Sequence, residues 1–224
     1  CYGVLKKYYR KPIIYNLFNE QKIYLFNDSS VSSFFTYSKI PDKEEILILR
    51  NSLELNNDMH FVDVGANIGS YSIQLADLTK NIIAIEPHPQ TYNRLKMNFK
   101  LNGIDQNNIY QLAIGASNKE VFFTSFSEES SINKVSNSKS DLKVTQKSLD
   151  TILDLSKEYI FKIDVEGYEL EVLKGMKNLF LKNCVIGIII ESFDGSALKM
   201  LSQLGFEISK TSQNNFYCKK IKNY

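Results

Sequence analysis

From about residue 60 onward, apolar residues fall into two alternating rhythms. Continuous apolar runs at 60–65, 82–86, 108–114, 159–164 and 185–191 have the length and composition of buried strands. Between them, at about 69–79, 89–102, 168–182 and 196–204, apolar positions recur at helical spacing. This alternation predicts an α/β domain of βαβ units around a mostly parallel sheet with right-handed crossovers. The tail departs from it. Phe206–Lys210 and Asn215–Lys219, joined by the polar Thr211-Ser212-Gln213-Asn214, read as a hairpin that ends the sheet on a reversed strand. Before residue 60 the rhythm is that of a second hairpin, Ile13–Phe18 and Lys22–Phe26 around Asn19-Glu20-Gln21. Pro41 then starts a helix with Ile46, Leu47, Leu49 and Leu53 on one face. The expected division is an extension at 1–40 and one α/β domain at 41–224. The Ser-rich stretch 127–141, after an expected edge strand at Val121–Thr124, is long enough to read as a cover over a substrate.

Composition narrows this picture only a little. The 224 residues are 43% hydrophobic and 23% charged, with a net charge of +2, so no polyanionic partner such as nucleic acid is expected. Basic residues cluster at both ends (Lys6, Lys7, Arg10, Lys11; Lys219, Lys220, Lys222), which reads as solvated termini and leaves contact with a membrane surface open. No apolar run approaches the roughly 18 residues of a membrane-spanning helix. Cys1, Cys184 and Cys218 have neither metal-ligand spacing nor a disulfide framework, which fits a reducing cytoplasm. The chain opens on Cys rather than Met, which points to sequence preceding it.

Candidate chemistry gathers where the strands end. Phe61-Val62-Asp63-Val64-Gly65-Ala66-Asn67-Ile68-Gly69 brings an acid to a strand tip and turns at once toward a helix, the place where adenosine-containing cofactors sit in α/β sheets. A dinucleotide fingerprint would need glycines where Asn67 and Ser70 stand, and Asp63 would repel a pyrophosphate. A cofactor with a cationic end, such as the ammonium and sulfonium of S-adenosylmethionine, suits that acid. Glu86, closing the next strand about 20 residues on, is placed to accept hydrogen bonds from ribose hydroxyls. A second constellation, Lys162-Ile163-Asp164-Val165-Glu166-Gly167-Tyr168-Glu169, again carries an apolar strand to an acid. Glu191 closes the strand after it. Capping of the following helix accounts for Glu166 or Glu169 alone, but not for Asp164. Acids at four strand ends, Asp63, Glu86, Asp164 and Glu191, suit either proton acceptance from a hydroxyl or a hard divalent cation.

Together with Glu86-Pro87-His88-Pro89, Asn98 to Asn102 and the continuation of the second constellation to Gly175, these residues resemble the FkbM family of S-adenosylmethionine-dependent methyltransferases over roughly residues 60–192. The resemblance implies a Rossmann-like class I methyltransferase, with a seven-stranded, mostly parallel sheet ending in an antiparallel hairpin. It implies O-methylation, often of sugar hydroxyls, so a small-molecule or glycan acceptor is expected. Asp63, Gly65, Asn67 and Glu86 would line the cofactor, with Gly69, His88 and Ala113 completing the set. Asp164, Glu166 and Glu191 would face the acceptor, with Asp164 as the base. No metal is expected, because Glu191-Ser192 stands where divalent-cation-dependent catechol-type enzymes carry Asp-Asn. His60 reads as structural. Two rival readings are a nicotinamide-dependent oxidoreductase or epimerase, disfavoured by the broken glycine pattern, and a non-catalytic cofactor-binding scaffold.

Overall fold

A computed structural model describes residues 11–123, 135–136 and 142–221. Strands β1 (Ile13–Asn16) and β2 (Lys22–Leu25) pair antiparallel as a hairpin, followed by a short helix α1 (Ser30–Phe34) and a long one, α2 (Lys43–Leu55). Alternation then sets in with β3 (His60–Val64), α3 (Ser70–Leu75), β4 (Ile82–Ile85), α4 (Pro89–Leu101) and β5 (Ile109–Tyr110). A side excursion contributes β6 (Ala113–Ile114), β7 (Lys119–Phe123), β8 (Val135–Ser136) and β9 (Leu142–Lys147). The chain returns through β10 (Tyr159–Ile163), α5 (Glu169–Lys174), α6 (Lys177–Leu181), β11 (Val185–Glu191), α7 (Ser196–Gln203), β12 (Phe206–Lys210) and β13 (Asn215–Lys220). The main sheet runs β12-β13-β11-β10-β3-β4-β5, and β13 lies antiparallel to both of its neighbours while the remaining pairs are parallel. The order β6-β9-β7-β8 makes a second, four-stranded sheet.

Each central strand is apolar on both faces because helices cover both. Phe61, Ile160 and Ile189 pack on one side with α2, α3, α4 and the N-terminal hairpin. Val62, Val64, Phe161, Ile163, Ile188 and Ile190 pack on the other with α5, α6 and α7. Two polar residues interrupt the first face, Asp63 and Lys162, and they are register partners on adjacent strands. Chains of this kind place polar groups inside only where a ligand or a partner charge receives them. No helix among the described residues is long and apolar enough to cross a membrane.

The hairpin joins the domain through buried apolar side chains and through two asparagines rather than through a sheet. Asn98 on α4 and Asn102 at its C-cap, one turn apart, accept from the backbone N–H groups of Tyr24 and Lys22, each at 2.7 Å. Asn102 Nδ2 also donates to the Lys22 carbonyl at 2.6 Å, and the buried Asn98 Nδ2 donates to the Ile68 carbonyl at 2.7 Å. Helix spacing of four residues thus matches the two-residue spacing of outward N–H groups on the edge of β2. Replacing Asn98 with alanine strands a buried carbonyl and a strand amide. The expected loss is about 2–4 kcal/mol of stability in urea unfolding, given about 1–3 kcal/mol per buried group left unpaired; a loss no larger than at an exposed site would remove Asn98 from this role.

Four expectations need correction. The run at 108–114 is not one strand: Gln111 and Leu112 leave the ladder, so β5 stays in the main sheet and β6 pairs with β9 in the second. The helix expected at 168–182 breaks into α5 and α6 at Gly175. A Cβ there would lie 2.2 Å from the Gly115 carbonyl oxygen, and the Gly175 carbonyl accepts from Asp150 N–H. Tight packing of two chain segments, not local sequence, ends the helix. The strand expected at the edge near Val121 is internal, flanked by β8 and β9. β9 itself was not anticipated, although its burial alternates. The helix expected at 69–79 ends at Leu75. Apart from Val135 and Ser136, the Ser-rich stretch expected to cover the substrate lies outside the described residues, as do residues 1–10.

Candidate functional site

A cavity of about 450 Å³ opens where β3, β4 and β10 end, a size suited to a cofactor-sized ligand. Its floor is the turn after β3. Gly65, Asn67 and Gly69 have φ of +80°, +52° and +88°. Asn67 therefore holds the left-handed conformation that a glycine would hold in a dinucleotide fingerprint, and asparagine is among the few residues that tolerate it. Its own Oδ1 accepts from the Ile68 N–H at 2.9 Å, which fixes the turn locally. Gly65 and Ala66 both donate to the Ile85 carbonyl at 3.0 Å, so the turn is pinned to the neighbouring strand. Gly65 itself presses on the backbone of the β10 terminus: an added Cβ would lie 1.9 Å from the Asp164 carbonyl oxygen.

The acids are held individually. Asp63 is buried, and its Oδ2 accepts from both the N–H and the hydroxyl of Ser72, at 3.2 and 2.6 Å. Burial pushes its pKa up to about 6 despite those bonds. Glu86 is also buried; one oxygen accepts from Asn67 N–H at 3.0 Å and the other from His88 N–H at 2.9 Å. Burial raises it to about 7. Glu191 is pushed up to about 8, first by burial and then by the charge of Asp164 and a hydrogen bond with it. Carboxyls raised by desolvation are relieved by a cation placed among them. That is the electrostatic fit expected for a ligand carrying an ammonium and a sulfonium.

In the same cavity, carboxylate oxygens of Asp164, Glu166 and Glu191 lie within 4.8 Å of one another. Glu166 has φ +55°, so the loop after β10 is wound tightly. Glu169, by contrast, turns back: its Oε1 accepts from Gly167 N–H at 2.9 Å and Val165 N–H at 3.4 Å, and it serves the loop rather than the cavity. Lys162 reaches the same region from inside β10, with its Nζ 3.4 Å from Asp164 Oδ2.

Of the residues expected from sequence, Asp63, Gly65, Asn67, Glu86, Ala113, Asp164, Glu166 and Glu191 line the cavity. Gly69 and His88 stand behind it. Gly69 packs under α4, where a Cβ would lie 2.8 Å from Leu95, and His88 contributes its backbone N–H to Glu86 while its ring turns to Thr91. Burial lowers the His88 pKa. His60 is remote, with its Nδ1 3.2 Å from the Asp58 carbonyl and its ring edge-on to Tyr159. Sequence reading missed Lys162, Tyr71 and the N-terminal wall, where Ser30, Val31 and Phe34 of α1 close one side. Lys162 had a visible signal, a lone charge inside a wholly buried strand. The wall had none, since its position depends on how the hairpin docks.

Known proteins share the sequence pattern and the fold of this chain. The Methyltransferase FkbM domain family matches residues 63–208. A hexuronic acid methyltransferase, AglP, of Haloferax volcanii is 29% identical over 201 residues, covering 84% of this chain and 81% of its own. Methyltransferase 1 of Beauveria bassiana is 22% identical over 229 residues, covering 84% and 90% respectively. Among solved structures, Pyrococcus abyssi tRNA (uracil-54, C5)-methyltransferase in complex with S-adenosyl-L-homocysteine aligns with a TM-score of 0.54 at 12% identity, over 96% of this chain and 45% of that one. Methanocaldococcus jannaschii Trm5 in complex with adenosine aligns with a TM-score of 0.52 at 17% identity, over 96% and 57%. At these identities the likeness is one of fold.

Proposed function

Because the chain belongs to the FkbM methyltransferase family and is a methyltransferase that uses S-adenosylmethionine, we propose that it methylates a hydroxyl of a sugar, in a glycan or a glycolipid, with Asp164 as the base. The observation that carries this reading is the convergence of Asp164 and Glu191 in the cavity that Asp63 and Glu86 also line. One named relative supports a sugar as the acceptor: the Haloferax volcanii relative is a hexuronic acid methyltransferase. So does the wall, where Phe34 and Tyr37 stand exposed, edge to face with ring centroids 5.9 Å apart, beside the cavity that Phe34 lines. Sugar rings stack their apolar faces on such aromatics.

When bound, S-adenosylmethionine supplies an activated methyl group on a sulfonium. Asp63, the Gly65–Asn67 turn and Glu86 would hold its amino-acid and ribose parts. The chain's remaining task is to hold the acceptor oxygen about 3 Å from the methyl carbon and to take its proton. Asp164 is the proposed proton acceptor, and Glu191 competes with the acceptor hydroxyl for it. Below about pH 8 Glu191 carries a proton and donates it in a hydrogen bond to Asp164, occupying a lone pair that would otherwise accept from the hydroxyl. Above it, Glu191 is ionised and Asp164 is freed. The rate is therefore expected to rise as pH approaches about 8 and then level off. Glu191→Gln, which keeps a permanent donor, should flatten that rise; a wild-type profile that is already flat would take the pair away from the reacting hydroxyl.

The acceptor class is tested by offering the protein S-adenosylmethionine with uronic-acid and neutral glycosides and locating new methyl groups by mass spectrometry. Methyl ethers on sugar oxygens are expected. Transfer to nitrogen or carbon acceptors alone would overturn the reading.

A further inference from the structure

We infer that Lys162 is a positioning residue of the transfer site: its ammonium is the fixed counter-charge of the Asp164, Glu166 and Glu191 cluster, standing where other carboxylate sites hold a divalent cation. In its catalytic part this rests on the reading of Asp164 given above. The side chain of Lys162 is only 3% exposed, next to last in a strand whose other residues are all buried and uncharged. An ammonium is stable there only if anions surround it. The fold supplies two acids, a neutral amide oxygen and an aromatic face from several elements. Asp164 Oδ2 and Asn215 Oδ1 each lie 3.4 Å from Nζ, the Tyr71 ring lies beneath it at 5.2 Å, and Asp63 is its register partner on β3.

Both distances are long for a single tight ion pair, so no one partner captures the ammonium. It is shared across a row of acids, and its charge favours the ionised forms of Asp63 and Glu191 as well. The three clustered carboxylates have the spacing of oxygen ligands for a hard cation. With an ammonium already against Asp164, a divalent ion entering the cluster meets like-charge repulsion at close range in a poorly screened pocket. The lysine thus makes the cluster metal-independent, and its loss should make the cluster receptive to a metal.

Lys162→Met keeps the apolar stem and removes the charge. Calorimetry with S-adenosylhomocysteine should show cofactor binding retained, while turnover falls by roughly 10–100-fold, the usual range for an outer partner of a reacting group. Titration with Mn²⁺, read by calorimetry without any acceptor, should be silent for the wild type and show binding for the variant. Lys162→Arg, which keeps the charge, should stay silent to Mn²⁺ and retain more turnover than the Met variant.

Mn²⁺ binding to the wild type at this cluster, loss of wild-type activity in EDTA with recovery in Mg²⁺, or a Met variant that turns over normally would each overturn the inference. So would a Met variant that loses turnover yet binds no Mn²⁺, which would leave Lys162 a packing role. If the Met variant does not fold, the wild-type and Arg titrations decide alone. Because the Mn²⁺ arm needs no acceptor, its outcome is independent of whether Asp164 proves to be the base.

Discussion

Asp164→Asn is expected to leave the fold and the cofactor affinity in place and to lower turnover by roughly 10²–10⁴-fold, the usual contribution of a positioned base. Asparagine has the shape of aspartate and can still meet the Lys162 ammonium through its carbonyl. The backbone N–H of residue 164, which donates to the Val64 carbonyl at 3.0 Å, is untouched. What the variant lacks is a group that accepts a proton from the acceptor hydroxyl. Single-turnover methyl transfer at saturating cofactor measures the loss, and calorimetry with S-adenosylhomocysteine checks that binding has survived. Undiminished turnover would move the role of base to Glu191 or Glu166, whose oxygens share the cluster.

Gly65→Ala should be the more damaging change to the molecule as a whole, abolishing measurable cofactor binding and lowering stability well beyond the cost of an unfavourable φ. That cost alone is about 1–2 kcal/mol for a residue in the left-handed region. At Gly65 a methyl group would also lie 1.9 Å from the Asp164 carbonyl oxygen, a backbone atom that can retreat only if β3 and β10 part at their ends. Parting them moves Asp63, Glu86 and Asp164 relative to one another. Gly103→Ala provides the control, since its φ is +66° but nothing lies within 4 Å of the position. Urea unfolding of the two variants separates conformational cost from steric cost. Equal losses at the two glycines would mean that the close approach of β3 to the β10 loop does not matter.

How much of this was legible in the sequence depended on whether a feature was local. Asp63, Glu86, Asp164 and Glu191 could be read because each ends an apolar run, and parallel strands deliver their C-terminal ends to one edge. Asn67 was visible as a departure from a glycine pattern, though only the backbone shows that it keeps the glycine conformation. Features set by a partner distant in the chain were not legible. Gly175 looks like an ordinary helical position until Gly115 is found against it. Gln111 and Leu112 look like strand until the chain divides between two sheets. The role of Lys162 needed register: Asp63 stands beside it only because β3 and β10 pair as they do. Asn98 and Asn102 could be noticed as part of a resemblance, but their task could not, because a hairpin 80 residues away is the thing they hold.

That grip has a consequence for how the enzyme can be altered. Asn98 and Asn102 take hold of backbone atoms of residues 22 and 24 and ignore their side chains. That part of the attachment is blind to side-chain identity, whereas Ile23, Leu25 and Phe26 still have to fit the core beneath them. Downstream of that clamp, α1 and the segment to Asp42 face the cavity. A hairpin and α1 taken from a relative should seat on the same clamp where their inward residues keep this apolar pattern, and should then retune the choice of acceptor while the transfer chemistry stays with the host.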